Sequence, residues 1–266
     1  MKRVGIGVIN YNRSELLEKL LDSLTVSGAG DCDIIVADDG STDNSHSICD
    51  KMRIRRVGSK NMGIAWNKNR ALYYLMNHTS CDLIMLIEND CLITSPDWLK
   101  TWSHAIERWG HINCLHPSTI RKIRMSEPCE EIYGGTGTSE SPFLCTKISG
   151  ICIGSTRNAV NEVGYFDTRF KGYGHEHAEW TLRFRRIGLG FKNIDLASGS
   201  LKCNIMISGG IDGLDVSSSS DKNNVEVNRK VMDECKADVT YRNPWRSDAE
   251  RSLLLHEVAV AMAARL

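Results

Sequence analysis

Three short polar clusters interrupt the apolar runs in the first third of the chain. Each stands where such a run stops: Asn10-Tyr11-Asn12-Arg13, Asp38-Asp39-Gly40-Ser41 and Glu88-Asn89-Asp90. Glu88 and Asp90 are carboxylates one residue apart, and at the end of a strand both can turn toward one site. Mg²⁺ and Mn²⁺ prefer oxygen ligands and are usually held by one or two carboxylates together with substrate phosphates. A metal there would neutralise charge on a departing diphosphate. Taken alone, an acidic residue after a strand is also an ordinary cap or solvated turn, and Asp-Gly at 39–40 is a common turn pair.

The elements that must position these residues read clearly. Val4–Ile9 is short, apolar and rich in β-branched residues, the pattern of a buried strand. Asn12 with Glu15 three residues on resembles a capping box, and Leu16, Leu17, Leu20, Leu21 and Leu24 follow at helical spacing. Ile34–Ala37 is a second buried strand. A short helix from about Asp43 to Met52, a strand at Arg53–Val57 and a helix near Ile64–Asn77 lead to a further buried strand at Leu83–Ile87. Ser95 and Pro96 suit the start of a helix that runs through Trp109 and carries Trp98, Trp102 and Trp109, mostly as core or groove residues. Strands alternating with helices imply an α/β fold with a mostly parallel central sheet flanked by helices, and such sheets bind ligands beyond the carboxyl ends of their strands. All three polar clusters fall at such ends.

Residues 116–148 read as loops and edge strands, with a flap-like character, around the Gly-, Ser- and Thr-rich stretch Tyr133–Ser141. A strand at Ile151–Ile153, a helix near Arg157–Val163, a turn at Gly164–Gly174 and a helix from Glu176 to Ile187 follow. Beyond Leu201 the pattern weakens. Ser217–Ser220 read as a flexible break, and Asp248–Leu266 has helical composition. The division expected is 1–95, 96–200 and a partly helical extension at 201–266.

Lys+Arg and Asp+Glu are 33 each in 266 residues, so net charge announces neither a nucleic acid nor an anionic membrane as partner. The ten cysteines show no C-x-x-C pair and no zinc-like cluster. Reduced thiols, no signal-peptide pattern at the N-terminus and apolar runs too short to span a bilayer point to a cytoplasmic protein.

Val8–Arg13 followed by Ile34–Asp43 resembles the opening of the family 2 glycosyltransferases. Asn61-x-Gly63-x-Ala65-x-Asn67-Lys68-Asn69 is similar to that family's third block, and Glu88-Asn89-Asp90 falls where the family carries its Asp-x-Asp metal motif. Glu162–Asp167 and Gly172–Arg183 resemble the acceptor-side blocks. The resemblance covers about residues 3–190, in the family's order. It implies a GT-A fold, a nucleotide-diphosphate sugar donor, a divalent metal (Mn²⁺ or Mg²⁺) and inversion at the anomeric carbon, with 1–95 as the nucleotide-sugar-binding half and 96–200 as the acceptor-binding half.

By position, Asn10, Tyr11, Arg13, Asp38, Asp39, Lys68, Glu88 and Asn89 should face the donor, with Asp39 near the base. A carboxylate there can accept from a pyrimidine N–H, which favours a UDP-sugar. Asp90 is the best metal ligand, with Glu88 in place of the family's first Asp. Lys68 stands where the family usually has Arg, and it meets a diphosphate as a point charge only.

Inversion by single displacement needs a base for the acceptor hydroxyl. His177 occupies the usual place of that base and Glu176 precedes it. Both are candidates, with Glu176 preferred because a carboxylate also holds the hydroxyl. Gly174, His175, Glu179, Trp180 and Arg183 fall on the acceptor side, although Glu179 and Arg183 are four apart and can simply pair, and Trp180 can pack beneath the site. His256 could be a late metal ligand or an ordinary helix histidine. The acceptor expected is a glycan, with modified nucleic acid or protein as alternatives; Lys202, Arg229, Lys230, Arg242 and Arg246 could meet phosphates. A nucleotidyltransferase would want a Gly-rich basic loop after the first strand, which Asn10–Arg13 is not. A binding module without activity is the other rival, given the departures at Glu88, Lys68 and His177.

Overall fold

The structure, a computed structural model, describes residues 2–214, 222–235 and 240–264. The break expected at Ser217–Ser220 lies outside the described residues. In chain order the elements are β1 (Val4–Asn10), α1 (Ser14–Val26), β2 (Asp33–Asp38), α2 (Ser45–Lys51), β3 (Arg55–Val57), α3 (Ile64–His78), β4 (Leu83–Glu88), β5 (Cys91–Ile93), α4 (Trp98–Trp109), β6 (His111–Cys114), α5 (Pro117–Arg124), β7 (Phe143–Cys145), β8 (Cys152–Thr156), α6 (Arg157–Val163), α7 (Glu176–Arg186), β9 (Phe191–Leu196), β10 (Gly199–Ile207), β11 (Ile211–Gly213), α8 (Lys222–Glu234) and α9 (Asp248–Ala263).

One sheet runs in the order β3-β2-β1-β4-β8-β6-β10-β7, with β9 also on β10. Its first four strands are parallel, which aligns the carboxyl ends of β1, β2 and β4 along one edge. From β8 onward the sheet is mixed: β8 is antiparallel to both β4 and β6, while β10 runs parallel to β6. The boundary expected at 200 falls inside β10, which is continuous with the rest of the sheet. Trp98 and Trp102 are fully buried in the core on one face, and Trp66, Phe166 and Trp180 in the core on the other.

Two glycines in β1 set how closely α3 lies on the sheet. A Cβ on Gly5 would meet Cys81 Sγ at 2.7 Å, and one on Gly7 would meet Ala71 Cβ at 2.6 Å. The close approach carries Asn67 to the strand ends, where its amide donates to Ala37 O (2.9 Å) and Asn10 O (3.1 Å). Asn10 donates to Asp38 Oδ1 (2.8 Å) and accepts from Asn89 (2.7 Å), so one buried amide ties the ends of β1, β2 and β4 together.

Helix α1 starts later than expected. Asn12 adopts a left-handed conformation (φ 48°) and its side chain accepts from Thr42 N (2.7 Å); Asp43 accepts from Ser14 N (2.8 Å) at the helix start instead. The stretch 116–148, expected as loops and edge strands, holds α5 as well as β7.

Candidate active site

A cleft of about 470 Å³ opens at the carboxyl ends of β1, β2 and β4. Tyr11 and Arg13 from the loop after β1, Asp39 from the loop after β2, and Glu88 and Asp90 at the end of β4 all line it. The opposite wall comes from Ile151, from Gly172 and Tyr173 ahead of α7, from His116 and Pro117 at the start of α5, and from Leu214 and Asn224. Asn61, Gly63 and Asn67 lie within the sequence block already noted. Leu214 and Asn224 follow the weakly patterned region, where no local signal marked them.

Asp90 Oδ2 accepts from Arg13 Nη1 (3.2 Å), whereas Oδ1 is buried with no hydrogen-bond partner among the described residues. Burial pushes the Asp90 carboxyl above its usual range, opposed by Arg13. A buried carboxylate oxygen without a donor is costly, and an oxygen-preferring cation would satisfy it. Among the described residues no group of three or more His, Cys, Asp or Glu could cage a metal. Asp90, through its unpartnered Oδ1, and Glu88 are the residues that could share a small divalent cation with substrate phosphates and water.

Lys68 does not line the cleft. It is fully buried beneath it, where Nζ donates to Glu88 Oε1 (2.8 Å) and Glu176 Oε1 (3.1 Å). The reading of Lys68 as a diphosphate contact is thereby corrected: its charge is already shared by two carboxylates. Burial raises the Glu176 carboxyl, but Lys68 and then His177 more than offset this and hold it well below the usual carboxylate range. Burial raises Glu88, against the pull of Lys68. Glu176 Oε1 also accepts from His177 Nδ1 (3.1 Å), while its Oε2 is buried with no partner among the described residues. Burial, and then the Glu88 and Glu176 charges, push the Tyr173 phenol up, so both carboxylates act on this wall of the cleft.

Asp39 is almost wholly buried and fixed by three N–H groups, Met62 N (2.8 Å) and Arg70 Nη1 (2.7 Å) on Oδ1 and Gly63 N (2.9 Å) on Oδ2. Asp38 is not in the cleft lining. It accepts from Asn10, from the Ser41 backbone and hydroxyl, and meets His46 Nε2 (2.9 Å), so it shapes the loop instead of meeting a ligand. Asn10 and Asn89 line the cleft, but their side chains bind each other.

The acceptor-side residues expected at 174–183 are also displaced from the cleft lining. Glu179 pairs with Arg183 (3.0 Å) and Arg242 (3.2 Å), and Arg183 also donates to the carbonyls of Val163 and Tyr165, all in the interior. Trp180 stacks on Phe166 (centroids 4.4 Å) and donates to Gly164 O (2.9 Å), as packing beneath the site requires. His175 takes a left-handed turn (φ 69°) at the start of α7, beside buried Gly174. His256 is exposed on α9 and does not line the cleft. Of the cations considered for phosphates, Arg242 pairs with Asp167 and Glu179, Arg246 with Glu250 and Arg229 with Glu226.

The turn that carries Tyr173 is held from α8. Buried Asn228 accepts from Lys171 N (2.9 Å) and donates to the carbonyls of Lys171 (2.8 Å), Tyr173 (3.1 Å) and Gly174 (3.0 Å). On its other side the turn abuts α3, where Ile64 N donates to Gly172 O (3.1 Å). Asn228→Ala is expected to cost about 1–3 kcal/mol in urea denaturation, because it strands four backbone groups, three of them partly buried and the Gly174 carbonyl buried. A loss below about 0.5 kcal/mol, the size of an ordinary surface change, would show that the turn holds itself.

Residues 6–123 match the family model described as Glycosyl transferase family 2. Over these residues the chain is similar to that family. The polar strand ends that line the cleft, from Asn10 to Asp90, all fall within the family 2 match. The chain is 26% identical over 200 residues to the GalNAc(5)-diNAcBac-PP-undecaprenol beta-1,3-glucosyltransferase of Campylobacter jejuni, which covers 70% of this chain and 60% of the relative. It thus spans less than two thirds of that relative's length. The mannosyltransferase PcManGT from Pyrobaculum calidifontis, solved in complex with GDP-Man and Mn²⁺, aligns at a TM-score of 0.55 and 18% identity over 100% of this chain and 76% of its own. Glucosyl-3-phosphoglycerate synthase from Mycobacterium tuberculosis, in complex with Mn²⁺, UDP and phosphoglyceric acid, aligns at 0.53 and 15% identity over 88% and 79%. These likenesses are of fold, the α/β GT-A type. Among the described residues no helix is long and apolar enough to cross a membrane.

Proposed function

We propose that this chain is an inverting glycosyltransferase that moves a sugar from a nucleotide-diphosphate donor, a UDP-sugar first, to a hydroxyl of a glycan acceptor. The observation that carries the reading is the set of carboxylates at one cleft: Asp39 at one strand end, Glu88 and Asp90 at another, and Glu176 beneath, with one oxygen each on Asp90 and Glu176 that has no partner among the described residues. Asp39 Oδ1 is filled by two donors and Oδ2 by one, which leaves an acceptor position for a base N–H. Asp90, with Glu88, would hold a divalent cation that offsets the charge of the departing diphosphate. Arg13, which pairs with Asp90, adds a donor beside that charge.

Glu176 is the preferred base. Lys68 and His177 occupy Oε1 and keep the group ionised, so Oε2 can accept the hydrogen bond of an acceptor hydroxyl and take its proton as the new C–O bond forms. The bond between the anomeric carbon and the diphosphate breaks in the same displacement. His177 gives Nδ1 to Glu176 and serves to orient it. The preference for a glycan hydroxyl draws on the Campylobacter relative, whose name describes glucosyl transfer to a lipid-linked glycan.

The test is release of nucleoside diphosphate from a panel of UDP-, GDP-, CDP- and ADP-sugars, with Mn²⁺ and with chelator. Slow, metal-dependent release from one UDP-sugar is expected. Release independent of metal, or no binding of any donor, would overturn the assignment.

A further inference from the structure

The C-terminal helix reaches the residue expected to read the base. Arg70, fully buried on α3, spans two carboxylates that lie far apart in sequence. Its Nη1 donates to Asp39 Oδ1 (2.7 Å), while Nε and Nη2 fork onto Glu257 of α9 (2.8 and 2.7 Å). Nη2 also donates to Lys60 O (2.8 Å). Glu257 is itself fully buried and takes further hydrogen bonds from Ser59 Oγ and Trp66 Nε1.

We propose that Glu257 is a positioning residue for nucleobase recognition, acting through Arg70 on Asp39. The inference rests on the reading of Asp39 as the base-reading carboxylate. A guanidinium offers a rigid fork that binds a carboxylate through two parallel N–H groups. Glu257 claims that fork, so Arg70 can spare only Nη1 for Asp39, and Nη1 lands on the oxygen that Met62 N already occupies. Asp39 Oδ2, held by Gly63 N alone, keeps an acceptor position for the ligand. Without the Glu257 charge, the fork is free to rotate onto both Asp39 oxygens and fill that position. The guanidinium would also lose its second counter-charge in a buried site, where an unpaired ion is costly. The C-terminal extension thereby becomes part of the donor site, although none of its residues on α9 touches the cleft.

The test is calorimetric binding of UDP, CDP, GDP and pyrophosphate, each with Mn²⁺, to the full chain and to Asp39→Asn, Glu257→Gln, Arg70→Lys and Ser59→Ala. Glu257→Gln and Arg70→Lys are expected to weaken UDP by roughly tenfold, the scale of one hydrogen bond to a charged group, and to flatten the preference among bases while leaving pyrophosphate affinity unchanged. Ser59→Ala, which removes a contact of Glu257 without freeing the fork, should keep the preference. A merely structural role would lower all four affinities together, or only the melting temperature, and would overturn the inference. So would a Glu257→Gln protein that keeps wild-type base preference while Asp39→Asn loses it. If Asp39→Asn itself binds every base as wild type does, the reading of Asp39 fails instead, and this inference with it. Should Glu257→Gln not fold, Arg70→Lys carries the same comparison.

Discussion

Replacement of Asp90 by alanine is expected to lower donor turnover by at least about 10³-fold, the scale seen when a group that stabilises developing charge is removed. The protein should be no less stable for it. Burial pushes the Asp90 carboxyl above its usual range, so the ionised group opposes folding at neutral pH, and that penalty eases as pH falls through its raised value. Its pair with Arg13 is partly solvated and offsets little. Loss of turnover with an equal or higher melting temperature is the signature of a group kept for chemistry at a cost in stability. The assay is diphosphate release alongside thermal unfolding. A variant that unfolds more easily while turnover falls only a few-fold would make Asp90 a structural residue.

The second large effect is expected at Lys68. Lys68→Met leaves Glu176 and Glu88 without their shared counter-ion beneath the cleft, and removal of one partner from a buried ion cluster costs about 3–5 kcal/mol. The pH dependence gives the sign. With Lys68 present the folded Glu176 carboxyl is held below its unfolded value, so its stabilisation is in place above the ordinary glutamate range and is lost as pH falls toward the folded value. Without Lys68, burial is opposed by His177 alone and the group becomes harder to ionise. The acid limb of the rate profile should then move to higher pH. Adding Glu176→Gln to Lys68→Met should recover part of the stability and none of the activity. Equal stability of wild type and Lys68→Met, with an unmoved rate profile, would contradict this account of the cluster.

The parallel half of the fold was legible because its strands are buried on both faces and read as unbroken β-branched runs ending in polar clusters. Those clusters do line the cleft through Tyr11, Arg13, Asp39, Glu88 and Asp90. Helix α5 was missed because its core is thin: only Thr119 and Ile120 are buried, among Ser, Arg and Lys. Strands β9 and β10 were missed because the hairpin is solvated along β9, where Lys, Asn and Asp break the apolar pattern, and only the second half of β10 is buried.

The site is less legible on the helices. The motif resemblance puts Lys68, Glu179, Trp180 and Arg183 on the donor and acceptor sides, yet a motif does not say which face of α3 or α7 meets the cleft; the Glu179–Arg183 pair and the packing of Trp180, both left open by the sequence, are what the structure shows. The partners that fix Lys68, Arg70 and Tyr173 lie at separations of 108 (Glu176), 187 (Glu257) and 55 (Asn228) residues, beyond the reach of any local periodicity.

The central claim is that a nucleoside diphosphate spans this cleft, with its base at Asp39 and its diphosphate at Asp90. A crystal structure with UDP and Mn²⁺ tests it most directly. The account predicts Mn²⁺ bound to Asp90, the uracil N–H on Asp39 Oδ2, and Glu176 Oε2, buried in the free protein, brought within reach of the acceptor side. A nucleotide bound elsewhere, or Mn²⁺ held without Asp90, would contradict it.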